Sequence, residues 1–179
     1  MVEVTELDVR YGECRVAENV TEAERLIRPE SLTKLDEVSA ASISAIMVAA
    51  TSGVNLVKGL FAHLPMLWVV DRHGDIFVAL EEVVSVDTFR FLRPKSRRDN
   101  MDPITETRLG HPALVDERCE ARIGGELLYD PGWGVQYEGW YITNASGRFG
   151  IGKGPTNDHL RNVASEFGRL GITVKPVFY

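Results

Sequence analysis

Apolar and polar positions change rhythm along this chain. VEVTELDVRYG, near the start, alternates apolar and polar residues at period two, which predicts a short strand within residues 1–16. Thr21 then has the chemistry of a helix N-cap, with Glu22 and Glu24 in the first turn and Pro29 closing the element. A longer helical segment starts at Ser31 or Thr33 and reaches about Phe61. Leu35, Val38, Ile43, Ile46, Met47, Ala50 and Val54 fall at three- and four-residue steps, while Gly53 and Gly59 predict a break or two helices.

From Met66 the rhythm is that of strands. MLWVVDRHGDIFVALEEV (66–83) is two β-rich runs around a polar, glycine-containing turn, and predicts a hairpin. RFLRPKSRRDNMDP (90–103) is polar, carries two prolines, and predicts a loop. CEARIGGELLYD (119–130) and GWYITNA (139–145) predict two further strands joined by the turn PGWGVQYEG. NDHLRNVASEFGRL (157–170) places Leu160, Val163, Ala164, Phe167 and Leu170 at helical spacing, with Thr156 or Asn157 as cap and Gly171 as stop. ITVKPVFY closes as a strand whose Pro176 favours a sheet edge. The order predicts an α+β fold: a mostly antiparallel sheet packed by an N-terminal helical segment and a C-terminal helix. Residues 1–62 read as a mainly helical segment on the core, and 63–179 as a β-rich module with its own helix and strand.

Composition changes this picture little. The chain has 179 residues, 44% apolar and 26% charged, enough for a core without staples. A net charge of −6 argues against general nucleic-acid binding, which needs a basic surface. Cys14 and Cys119 have no metal-type spacing, so no metal site and no cofactor is assigned; two free thiols in a reducing compartment are the plain reading, and a single long-range disulfide is the other. The acidic, mixed start is not a signal peptide, and the charge-free stretch 40–57 carries too many small polar residues for a membrane span. Together these predict a cytoplasmic protein, with delivery by a secretion system left open.

Candidate chemistry gathers in the C-terminal half. Residues 147–153, GRFGIGK, fit the first seven positions of a phosphate-binding loop, but Gly154 stands where a magnesium-holding Ser or Thr belongs, and Pro155 and Thr156 intervene before the helix. A structural glycine turn is the plainer reading; a nucleotide- or anion-binding enzyme is the alternative. His111-Pro-Ala-Leu114, Ala121-Arg-Ile-Gly-Gly-Glu126-Leu127 and Ile142-Thr-Asn-Ala-Ser146-Gly147-Arg148-Phe149, followed by Pro155-Thr156 and a helix, resemble a module of pattern H-S-S-[FL], A-G-[ER]-L and S-G-H-Y. That module is found in the C-terminal half of plant IQ-motif calmodulin-binding proteins and in bacterial and fungal proteins, some effector- or toxin-like. The resemblance covers about residues 66–175. His111, Glu126, Ser146 and Gly147 keep the pattern; Pro112, Ala113, Arg148 and Phe149 depart from it, at the positions where chemistry using the serines or the histidine would be altered. No IQ motif is present, and the resemblance implies no particular reaction.

The resulting expectation is a small bacterial effector- or toxin-like module. Its site would hold His111 as a base oriented by Glu126, together with Arg148, and would bind through Ser146, Gly147, Arg122 and Lys153. The arginines and the lysine suit a small anionic ligand. The alternative is a non-enzymatic protein-binding or assembly module. It would use the run Arg90, Arg93, Lys95, Arg97 and Arg98 for an acidic partner and the Trp133, Tyr137, Trp140, Tyr141 cluster for recognition.

Overall fold

The computed structural model of the protein describes residues 5–133 and 137–179. The chain begins with a helix, α1 (Glu6–Tyr11), and not with the expected strand; the strand reading's Val2 and Val4 lie outside the described residues. Thr5 and Asp8 close a capping box at its start. Leu7 and Tyr11, four residues apart, then share one helical face against the core, which a period-two reading splits. A two-residue strand follows, β1 (Arg15–Val16), then α2 (Glu22–Leu26), capped by Thr21 as its sequence predicts.

Thr33 does not open the next helix. It belongs to a short strand, β2 (Thr33–Lys34), and the helix α3 (Glu37–Ser52) starts from Asp36, whose carboxylate accepts from the Val38 and Ser39 amides. Gly53 separates α3 from α4 (Asn55–Phe61): a Cβ there would stand 2.5 Å from the Ala49 carbonyl oxygen. The hairpin forms as β3 (Met66–Asp71) and β4 (Ile76–Leu80), and β5 (Glu82–Ser85) follows at once. Part of the expected loop is a strand, β6 (Phe91–Pro94), and a second unforeseen strand is β7 (Glu106–Leu109). A single 3-10 turn, His111–Leu114, precedes the long β8 (Glu120–Pro131), then β9 (Glu138–Thr143), α5 (Asn157–Arg169) and β10 (Lys175–Val177). Of the turn between β8 and β9, residues 134–136 lie outside the described residues.

Among the described residues the strands form two sheets. The larger runs β10-β9-β8-β3-β4-β2, with β1 also paired to β8; all its pairings are antiparallel except β9 with β10. The smaller is antiparallel, β6-β5-β7. The fold is therefore α+β with mostly antiparallel sheets. One face of the large sheet meets the helices: Trp68, Val70, Ile123 and Leu127 pack with Ile43 and Met47 of α3 and with Leu160, Val163 and Phe167 of α5. The opposite face carries a second core of Leu67, Val69, Ala79, Ala121, Leu114 and Phe149. Side chains alternate across a strand, so this second face also receives the residues two positions on from Ala79 and from Gly124. Those residues are Glu81 and Glu126.

No helix among the described residues is long and apolar enough to cross a membrane. Cys14 is exposed, Cys119 is buried, and both are free thiols.

Candidate functional site

Strand register builds the floor of the site. Leu67 on β3 stands opposite Ala79 of β4 on one side and opposite Glu126 of β8 on the other, and Glu126 in turn faces Thr143 of β9. Two segments close over this floor. One is the 3-10 turn with His111 and Pro112; the other is the turn 145–148 that leaves β9. Between them lies a cavity of about 160 Å³, lined by His111, Glu126, Ser146, Gly147 and Arg148, and also by Glu24, Glu81 and Arg108.

Of two consecutive glycines in β8, Gly124 makes room for the histidine and Gly125 for the backbone of β9. A Cβ on Gly124 would press within 3.2 Å of the His111 ring, and one on Gly125 would stand 1.7 Å from the Thr143 carbonyl oxygen. The ring reaches over this bare backbone, and its Nε2 lies 2.9 Å from the Gly125 carbonyl oxygen. A carbonyl only accepts, so Nε2 carries the proton and Nδ1 keeps a lone pair. No hydrogen-bond partner of Nδ1 is found among the described residues, and Nδ1 is not one of the wholly buried polar atoms that lack one. Burial pushes the imidazole down to about 4, against the pull of the Gly125 carbonyl; the Arg108 and Arg148 charges lower it further. His111 is thus uncharged at neutral pH.

The three carboxylates differ in how they are held. Glu24 accepts from Thr21 and from the Gly110 amide, which ties α2 to the 3-10 turn. Glu81 pairs with Arg108 at 3.0 Å and with Lys95 at 3.6 Å. Glu126 has a single looser partner, Arg97 at 3.6 Å, and burial raises its carboxyl above the usual carboxylate range although Arg97 pulls the other way. Histidine and Glu126 share the cavity, but the imidazole is oriented by the Gly125 carbonyl and not by the Glu126 carboxylate.

The glycine-rich stretch is wound on Ser146. Its Oγ accepts from the Arg148 and Phe149 amides, and its carbonyl oxygen accepts from the Gly150 and Ile151 amides. The Lys153 amide donates to the Gly150 carbonyl, and the Lys153 ammonium pairs with Glu18 at 3.2 Å. Five amides of this stretch are therefore engaged within the turn, and they do not converge on an outside anion. Gly150 is required by its neighbour, since a Cβ would fall 2.0 Å from the Asn144 carbonyl oxygen. The Phe149 carbonyl accepts from the Gly124 amide and binds the turn to β8. Arg148 donates to the Glu18 and Asn19 carbonyls, so it ties one cavity wall to the segment before α2.

Two expected ligand residues do not line this cavity. Arg122 is buried elsewhere, paired with Asp8 at 2.5 Å and donating to the Gly12 and Arg72 carbonyls; Lys153 is held by Glu18. The basic run is also largely occupied: Arg93 is clasped by Asp99 and Glu106, Lys95 meets Glu81, and Arg97 meets Glu126. Of the aromatic cluster, Trp140 and Tyr141 are core residues, Tyr137 stacks on Tyr141, and Trp133 is exposed. Sequence reading overlooked Glu24, Glu81 and Arg108. Glu81 had a signal, a carboxylate two positions beyond Ala79 at the end of an apolar hairpin strand. Among the described residues no group of three or more His, Cys, Asp or Glu side chains is placed to hold a metal ion.

Comparison of the chain with protein-family models, with curated proteins and with solved structures finds no match.

Proposed function

We propose that the chain is a small effector- or toxin-like module whose working site is the cavity under the 3-10 turn. The observation that carries this reading is the joint placement of a neutral imidazole, whose Nδ1 has no partner among the described residues, and a half-buried, weakly paired carboxyl, Glu126, in one small polar cavity. Two titratable groups pushed away from their ordinary ranges inside one cleft are the usual mark of proton-transfer chemistry. His111 accepts a proton at Nδ1; Glu126, when protonated, donates one. Arg148 holds the wall through the Glu18 and Asn19 carbonyls. A cavity of about 160 Å³ takes a small polar ligand or the end of a larger one.

A thermal-shift screen tests this reading with nucleotides, nicotinamide dinucleotides, simple anions, amines and sugars as probes. Binding to the folded state raises its apparent stability with occupancy. The expected result is a stabilising ligand whose effect disappears in His111→Gln and in Glu126→Gln while both variants stay folded. Stabilisation that survives both substitutions would place the ligand elsewhere and overturn the assignment.

A further inference from the structure

On the other face of the sheet, a second cavity lies between the α3–α4 pair and the hairpin, and its chemistry is the opposite of the first. Its volume is about 390 Å³, and Ile43, Ile46, Leu60, Phe61, Met66 and Val78 form its walls. No charged side chain lines it. The hydroxyls of Ser31 and Thr33 reach its edge but are already used: Ser31 Oγ donates to Glu82 and accepts from the Leu80 amide, and Thr33 Oγ1 donates to the Ser31 carbonyl. Both hydroxyl protons are thus spent, and an occupant finds no free side-chain donor inside. Ile43 and Val78 are buried at 8% and 4% exposure, whereas Ile46 and Leu60 are open at 43% and 57%, so the cavity has an apolar floor and an apolar, solvent-facing rim.

We propose that this cavity binds a single saturated hydrocarbon chain, with the polar end of the molecule left at the rim. Apolar walls with almost no polar surface favour an apolar guest over water, and a volume near the lower end of the ligand-pocket range suits one chain. The walls point the same way, since they are aliphatic and thioether side chains with one aromatic ring. The site is independent of the polar cavity, on the opposite sheet face, and its failure would leave that reading untouched.

The test is calorimetric titration of the full chain with 1-alkanols from 1-hexanol to 1-decanol. Affinity is expected to rise about fourfold per added methylene until the cavity is full, and then to level off. Ile46→Arg and Leu60→Arg, both at the rim, are expected to weaken 1-decanol binding at least about tenfold, since each removes apolar wall and sets a bulky, hydrated cation at the mouth. Leu56→Arg, 83% exposed and outside the lining, is the control and keeps binding. Absence of a chain-length gain, or rim variants that bind as the wild type does, would overturn the proposal. So would a dimeric wild type that the rim substitutions render monomeric in light scattering, because the cavity would then be covered by a second copy.

Discussion

At the residue scale, His111 carries the account, and it makes a prediction about pH. The folded imidazole sits at about 4 and the unfolded one near 6.5. Between these values the unfolded chain binds more protons, so the contribution of His111 to stability is full above about pH 6.5, falls as the pH drops, and is gone below about 4. The gap corresponds to roughly 3 kcal/mol. Glu126 opposes this: its raised carboxyl gains a proton more readily in the folded state, so its contribution strengthens as the pH falls. Denaturant unfolding of wild type and His111→Gln at pH 7 and pH 4 isolates the imidazole. The wild type should lose about 3 kcal/mol more over that interval than the variant; equal slopes would mean that the ring is solvated and ordinary. His111 and Glu126 were singled out together from the module resemblance, and both line one cavity. Their actual relation was not, because the partner of the imidazole is a backbone carbonyl, and a backbone atom leaves no mark in a sequence.

At the element scale, the pair Gly124-Gly125 in β8 decides whether the site can exist. Glycines ordinarily weaken a strand, and here they admit the histidine ring, Trp68 and the Thr143 backbone against bare Cα atoms. Gly125→Ala forces its methyl into the Thr143 carbonyl of the neighbouring strand. It should destabilise the protein by about 3 kcal/mol in urea unfolding; a loss under half of that would show that β8 and β9 slide apart easily. The hairpin, β8, β9 and α5 were readable because each has a strong period and a clear stop signal. α1 was misread because Leu7 and Val9 suit a strand pattern, while the Thr5–Asp8 capping box that starts the helix is a local hydrogen-bond exchange. β7 was missed because its pairing with β5 is non-local. β6 pairs locally with β5 across a short turn, but its polar residues hid it: Arg93 is neutralised by Glu106 of β7 and by Asp99 of the following loop, so a charged loop becomes a strand.

At the scale of the molecule, the large sheet separates two chemistries. One face carries the helices and an apolar, hydrocarbon-lined cavity; the other carries the turn-covered polar cavity with its imidazole and three carboxylates. Fold class followed from the order of elements in the chain. The second site did not, because Ile43 and Ile46 look like ordinary core positions until the gap between α3, α4 and the hairpin is seen. The central claim is that His111, Glu126 and the Ser146–Arg148 turn form one ligand site. Its most direct test is crystallography of the protein soaked with a panel of small polar fragments of fewer than about ten non-hydrogen atoms. The account predicts fragments in the polar cavity, within hydrogen-bond reach of His111 Nδ1 and the Glu126 carboxyl. Fragments that bind only elsewhere, with that cavity holding nothing but water across the panel, would contradict it.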